Sequence, residues 1–521
     1  MLRQPPSIFN DVIGPVMRGP SSSHTAAAVR IGRLARQLVS STLTRVLVEF
    51  DPAGSLATTY HGQGSDIGLV AGLLGFTPED ERLPQSLDIA RQDGLEVTFE
   101  IVEYDAPHPN TYRMTLFSDA GEIVTATAIS TGGGMINYEV IEGFPVAIAG
   151  DFHETLVFCR DALVANAVEG LLKEKVPFEY LEQSNRAAER LLSLKTASPL
   201  VDEIVKSLVS IEGVAKALRL SPVLPILSSK EGVVPFLSSQ AMLEQCDADL
   251  SLCEMALQYE SARGRISEEE VFAKMQRIVL LMQESIRSGL AGTEYQDRVL
   301  GRQSHLIAES VKQGRAIPGD ALNIAISYIT ALMEVKSSMG VIVAAPTAGA
   351  CGALPGTILG VCDALGLSTE EATSAMLAAG MVGVFIAEHA TFAAEVGGCQ
   401  VECGAGSSMA AAGLVNLMQG TAKQAIDAAA MALQNVMGMI CDPVADRVEV
   451  PCLGKNVMAG ANAIACATMA LSGFDKVIPL DETIDAMYRV GQQLPPELRC
   501  TGKGGLSITP TGRRIHASLL A

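Results

Sequence analysis

From about residue 241 to its end the chain has almost no strand-type alternation. Ala-, Gly- and Met-rich stretches follow one another instead, at 248–262, 268–288, 319–338, 369–390, 407–418, 423–438 and 456–472. Their apolar residues recur at the spacing of buried helix faces. Bulky side chains are scarce: aromatics make up 4% of the 521 residues and Trp is absent, while Gly reaches 48 and Met 20. A core of such small residues reaches native density only when helices approach closely. Residues 241–521 are therefore predicted to form an all-α domain.

The first 145 residues read differently. Leu43–Phe50 and Leu95–Val102 alternate as strands, Ala26–Leu38 has helical spacing, and Gly54, Gly62, Gly64 and Gly132–Gly134 punctuate loops. This predicts an α/β domain over 1–145. Residues 146–185 suggest a strand (Thr155–Cys159), a helix (Leu163–Lys173) and a second strand (Phe178–Leu181). Residues 186–240 read as helical and then broken by Pro222, Pro225 and Pro235. The segment 146–240 is thus expected to be a partial β-α-β piece followed by a helical linker, and the whole an α+β chain.

With 48% hydrophobic and 18% charged residues the chain is too apolar for general disorder. A net charge of −20 argues against nucleic acid or an anionic membrane as a partner. The N-terminus, MLRQPPSIFNDVIG, lacks the apolar core and small-residue cleavage site of a secretory signal. The most apolar run, Thr373–Ala387, is about 15 residues, short of the roughly 20 a spanning helix needs. The expectation is a cytoplasmic protein. Eleven cysteines in such a chain suggest reduced thiols or a metal site rather than a disulfide framework.

Common cofactor motifs are missing: no G-x-x-x-x-G-K-[ST], no H-E-x-x-H, and no G-x-G-x-x-G between a strand and a helix. Lys336 is the one lysine near a promising loop for a pyridoxal Schiff base, but no glycine-rich phosphate cup accompanies it, so no PLP is expected. Cys159, Cys246, Cys253, Cys362 and Cys466 lie among Leu, Val and Ala and read as core residues. Cys399, Cys441 and Cys452 each adjoin a turn-forming Gly or Pro, which can direct a sulfur off a helix end toward a metal. Structural zinc would close with four ligands. Three thiolates with no evident fourth partner suit an iron–sulfur cluster with one open iron, which can act as a Lewis acid. Cys351 and Cys403 are rival ligands, and ordinary burial is the plain alternative.

Ser21, Ser22, Ser23, His24 and Thr25 run straight into the first helix. One serine suffices to cap a helix; three followed by His24 suggest a site for a carboxylate or phosphate on free N–H groups. His108 and Asn110 fall in a loop after a strand.

These motifs together resemble the iron–sulfur-dependent L-serine dehydratases (L-serine ammonia-lyases), with β-type and α-type domains fused. The β-type resemblance rests on GPSSSHT (19–25), the stretch around 59–66, HPNT (108–111) and GGG (132–134). The α-type resemblance rests on SMGVIVAAPTAGACGALPG (338–356), EVGGCQVECG (395–404), ICDPVADRVEVPCLGKN (440–456) and TGKGGLSITPTGRR (501–514). Cys399, Cys441 and Cys452, 42 and 11 residues apart, stand in the family's GCQ, CDPV and VPC contexts. The resemblance implies a [4Fe-4S] cluster on these three residues and PLP-independent dehydration of L-serine, with L-threonine as the neighbouring substrate, to a keto acid and ammonia. It further implies that Ser21–Thr25, His108, Asn110, Thr347, Gly349, Lys503 and Gly504 bind substrate. His24, His61 and Lys336 become the catalytic candidates, and the small-residue helices suggest a homodimer.

The chain departs from the pattern inside its motifs. Where the family has G-H-x-T-D, this sequence reads His61-Gly-Gln-Gly-Ser-Asp66, so Gln63 replaces a candidate base. Lys336 stands for the family's Asn, Ala390–Ala394 for A-S-I-S-G, Asp446 and Arg447 for a small and an apolar residue, and Cys500 for an acidic one. Two alternatives follow: a relative acting on a different β-hydroxy acid, or a non-catalytic iron–sulfur redox sensor or regulator. The segment 146–185 occupies the place of an ACT-type regulatory module.

Overall fold

A computed structural model describes residues 4–19, 21–230, 232–245, 250–295 and 298–520. The chain divides into two compact units. One comprises Met1–Gly19 with Gly232–Ala521, the other Pro20–Glu231.

The second unit holds two sheets. A six-stranded sheet runs in the order Glu96–Ile101, Leu43–Phe50, Thr111–Ser118, Ile123–Gly132, Met135–Ile141, Phe144–Ile148. Only Leu43–Phe50 and Glu96–Ile101 pair in parallel. Alternation along Leu43–Phe50 sends Val46, Val48 and Phe50 into a core shared with Tyr112, Met114 and Tyr138. The helix Ser22–Gln37 lies against Ser65–Leu73, and Gly32 and Gly72 permit the approach: a Cβ at either would run into the other helix's backbone.

Residues 153–220 correct the expected partial module and helical linker. They form a complete β-α-β-β-α-β unit, with strands ordered Val214–Leu220, His153–Cys159, Glu189–Thr196, Tyr180–Arg186 and helices Ala162–Lys175 and Asp202–Val209. All neighbouring strands are antiparallel. The strand Glu189–Thr196 was read as helix because Leu191–Thr196 is buried continuously, without the alternation that marks a half-exposed strand. The proline-broken stretch is confined to 221–238.

The helical unit also takes in Met1–Gly19, which the sequence placed in the α/β domain. Its first residues bury Ile8, Phe9 and Val12, and a Cβ at Gly380 would lie 2.6 Å from Ile8. Glu260 accepts hydrogen bonds from the Ser7 hydroxyl at 2.5 Å and the Ile8 N–H at 2.8 Å. Val16–Arg18 then pairs antiparallel with Val341–Val343, a short ribbon in the part expected to be wholly helical.

Helix starts follow their caps. Capping boxes at Ser251/Glu254, Ser368/Glu371 and Thr421/Gln424 set the beginnings of Leu252–Gly264, Thr369–His389 and Ala422–Gln434. Close packing is as the composition predicts: a Cβ at Gly356 would sit 2.6 Å from the backbone N of Ile329 on the helix Asp320–Ser337. The apolar run at 373–387 is part of a 21-residue helix, which corrects the length argument. Thr369–His389 and Ala348–Leu365 are long and apolar enough to cross a membrane, but 78% and 72% of their apolar windows are buried inside the unit.

Candidate active site

In the α/β unit Ser21 stands at the N-cap of Ser22–Gln37, yet its side chain makes no cap bond. It lies 2.8 Å from His24 Nδ1 instead, and burial pushes the His24 pKa down. Ser22 Oγ is buried with no partner among the described residues, at the end of a helix whose first N–H groups are free. Ser23 is half-buried on the same turn, and Thr25 donates to the Ser21 carbonyl at 3.2 Å. Asn110 Oδ1 and Gln63 Oε1 are likewise buried without partners among the described residues. Such atoms cost about 1–3 kcal/mol each unless a ligand or water satisfies them. His108 Nδ1 accepts from the Asn110 N–H at 3.1 Å, so it shapes its own loop.

His61 is 78% exposed, and its Nδ1 lies 2.6 Å from Oδ2 of buried Asp66. The other carboxylate oxygen accepts from the Ile67 N–H at 2.7 Å. Asp66 therefore fixes the ring and leaves Nε2 facing outward, the geometry of an oriented general base.

In the helical unit the thiols converge. Cys399, Glu402 and Cys441 bring ligand atoms within 4.8 Å of one another. The free Cys399 thiol lies beside those of Cys403 and Cys441, and the Cys441 thiol lies beside that of Cys500. Cys399 and Cys403 form a C-x₃-C pair that the sequence reading passed over. Hydrogen bonds from Cys403 and Cys441 hold the Cys399 thiol well below its ordinary pKa, and the same bonds, with burial and the negative charge on Cys399, push its two partners up. Cys452 opens the helix Cys452–Leu471, is buried, and feels the charge of Cys399. Cys351 turns away, its sulfur 3.8 Å from that of Met333. Cys159, Cys253, Cys362 and Cys466 are buried and unpaired as expected, and Cys246 lies outside the described residues.

Polar side chains lock the loops bearing these thiols. Gln400 donates to the Gly397 carbonyl and accepts from the Gly438 N–H, both at 2.9 Å, joining the Cys399 turn to the one before Cys441. Asn456, fully buried, donates to Gly349 and Cys452 carbonyls at 2.9 Å and accepts from Gly352 and Ala353 N–H at 3.2 and 2.8 Å. Asp442 accepts from Lys455 Nζ at 2.8 Å and the Leu506 N–H at 2.9 Å, which ties down the loop carrying exposed Lys503 and buried Gly504. Thr347 donates to Glu402 at 2.7 Å, and a Cβ at Gly349 would meet the same carboxylate at 3.0 Å.

Two ionisable groups here are deeply buried. Lys336 is 6% exposed and, among the described residues, bonds to the Val448 carbonyl at 3.2 Å; burial pushes its pKa down while Cys452, Cys351, Glu449 and Glu402 oppose the shift. Burial pushes the Glu402 carboxyl well up, assisted by Cys399. Burial also works against the charge of Lys455, but Cys399 and Asp442 hold its pKa above normal.

Sequence reasoning missed Glu402, Lys455 and Asn456 as individual residues. The signal for Glu402 was present as a carboxylate between the paired thiols. A donor set of several thiols without histidine, beside lysines that offset thiolate charge, fits an iron–sulfur group.

Comparison with known proteins agrees with these placements. Residues 247–507 match the family described as serine dehydratase alpha chain, and residues 12–93 match serine dehydratase beta chain. The chain is 39% identical over 253 residues to the probable L-serine dehydratase alpha chain of Bacillus subtilis (strain 168), covering 49% of this chain and 84% of that one. It is 34% identical over 219 residues to the probable beta chain of the same organism, covering 41% and 98%. Over 520 residues it is 26% identical to L-serine dehydratase TdcG of Escherichia coli (strain K12), covering 94% and 96%.

Proposed function

The chain belongs to the serine dehydratase family, and from that premise we propose that it is an L-serine dehydratase, releasing pyruvate and ammonia without PLP. The observation that carries the reading is the convergence of thiols at Cys399 and Cys441 beside buried Glu402, with Cys452 close enough to feel their charge.

Cys399, Cys441 and Cys452 would hold a [4Fe-4S] cluster, which supplies a Lewis-acid iron that makes the substrate's β-hydroxyl a better leaving group. The protein's own groups do the rest. Ser22 and the free N–H groups of its helix offer donors to a carboxylate. His61, oriented by Asp66, takes the α-proton on Nε2 in place of the histidine that Gln63 has displaced. Glu402, kept protonated by burial and held by Thr347, can give a proton to the departing hydroxyl. The enamine then tautomerises and is hydrolysed, yielding the keto acid and ammonia.

Lys336 favours a second reading, a β-hydroxy acid with an additional negative charge, because its buried ammonium bonds directly to no carboxylate among the described residues. One experiment separates the two. The protein is loaded anaerobically with iron and sulfide, its absorption recorded, and keto acid followed from L-serine, L-threonine and acidic β-hydroxy acids. Turnover of L-serine is expected; a full cluster with turnover of an acidic substrate alone would overturn the first reading.

A further inference from the structure

Cys403 is a buried thiol at the site that the chemistry above does not use. The turn Cys399–Val401 closes with the Glu402 N–H donating to the Cys399 carbonyl at 3.2 Å, and it runs directly into the helix Cys403–Leu417. Cys399 and Cys403 thus stand four residues apart on one segment, and their sulfurs lie side by side. The Cys403 sulfur accepts from Asn456 Nδ2 at 3.5 Å. Both thiols are buried among small residues, Ala350, Ala353, Ala394 and Ala459. Cys441, the other neighbour of Cys399, comes from a separate segment. Two backbone bonds tie that segment down: Cys441 N–H to Leu498 C=O at 2.8 Å and Cys500 N–H to Cys441 C=O at 2.9 Å. Joining Cys399 to Cys403 therefore asks for no movement of a second segment, which is the condition disulfide geometry imposes.

An oxidant that strips iron from a cluster leaves the ligand thiols open to the same oxidant. An isolated thiol climbs through sulfenic to sulfinic acid, which thiols do not reverse, whereas an adjacent thiol diverts the sulfenic acid into a reducible disulfide. We propose that Cys403 is such a resolving thiol: it captures Cys399 in a Cys399–Cys403 disulfide when the cluster is lost, and so keeps a cluster ligand recoverable. Burial of both sulfurs restricts the oxidant to a small molecule, of the peroxide class. The O–O bond of hydrogen peroxide breaks as one oxygen passes to the Cys399 sulfur and the first water leaves. The Cys403 sulfur then attacks, the S–S bond forms, the S–O bond breaks and a second water leaves. Two thiols give up two electrons and two protons, and one peroxide becomes two waters. The proposal rests on the cluster reading above, from which it takes Cys399 as a ligand.

The test uses the full chain, loaded anaerobically with iron and sulfide, beside Cys403→Ser and Cys403→Ala. Bound iron is counted first and should be equal in all three. A wild type that binds none sinks the cluster reading itself; variants that alone load poorly would make Cys403 part of the cluster's own site and overturn the resolving role. The loaded proteins are then treated with hydrogen peroxide until the cluster absorption is gone, and unfolded in N-ethylmaleimide. Cleavage after Glu402, Lys423 and Arg447 puts Cys399, Cys403 and Cys441 on three different peptides. In the wild type the Cys399 and Cys403 peptides should be joined and should part in dithiothreitol. This measurement needs no variant: no bond, or a bond from Cys399 to Cys441 instead, overturns the proposal and leaves the family chemistry standing. In the variants the Cys399 peptide should carry the mass of two or three added oxygens. After reduction and reloading the wild type should regain its iron, while the variants lose most of theirs. Equal recovery in all three proteins overturns the proposal as well.

Discussion

Asn456 is the residue whose removal should say most about how the thiol site is built. Its amide oxygen accepts from Gly352 and Ala353 N–H, and its amide nitrogen reaches Gly349 C=O and Cys452 C=O. Asn456→Ala would strand two buried donors at the start of the helix Ala353–Leu365 and take the donor from Gly349. At roughly 1–1.5 kcal/mol for each group, the loss is about 4 kcal/mol. The helical unit has on the order of 300 residues, so its unfolding entropy is about 0.6 kcal/mol/K, and the transition should fall by about 6 °C. Calorimetry of the full chain reads the shift. Asn462→Ala is the control: it lies on the same helix and bonds to Ser407 Oγ and Ala432 C=O, but reaches neither the 349–353 loop nor the Cys452 carbonyl. It should lower stability without lowering the iron bound after reconstitution, whereas Asn456→Ala should lower both. A shift under about 2 °C for Asn456→Ala would mean that water or relaxation replaces these bonds, and the argument that Asn456 organises the site would fail.

Three further outcomes follow from the geometry. His61→Ala should reduce kcat on L-serine by about 10²–10⁴ with little change in bound iron, and Asp66→Asn by less; an unaffected kcat would remove His61 as the base. Burial pushes the Glu154 carboxyl up to about 7. A raised carboxyl stabilises the fold below its unfolded pKa near 4.5 and loses that contribution as pH rises through 7, so the stability of wild type relative to Glu154→Gln should fall by up to about 3 kcal/mol between pH 5 and 8. Urea unfolding at both pH values checks the sign. Gly356→Ala should cost about 1–3 kcal/mol because the added methyl meets Ile329. Gly170→Ala, in open space on Ala162–Lys175, should gain about 0.5–1 kcal/mol.

Much of the fold was readable where pattern and burial agree. Leu43–Phe50 alternates and is a strand with those bounds; Thr369–His389 carries its start signal at Ser368. The reading failed at Glu189–Thr196, where burial on both faces erases alternation and Leu and Lys mimic a helix. It also failed at Val16–Arg18, whose partner lies over 300 residues away. At the site, Cys399 and Cys441 were legible from the glycine and proline beside them. Cys500 was visible only as an odd substitution, because its contact with Cys441 depends on a chain reversal at 494–500 that no local pattern encodes. Asn456 has the same explanation: three of its four backbone partners lie at 349–353, about a hundred residues away in the chain.

The placement of Met1–Gly19 with the helices has a practical consequence for anyone cutting this protein. A protease or a redesigned gene that severs the chain near 231 leaves two polypeptides, and the α/β one carries Ile8, Phe9, Val12 and the strand Val16–Arg18 with it. Those residues are seated among the helices, so the halves should co-purify, held by a clasp of fewer than twenty residues. A cut near 20 as well would be needed to free them.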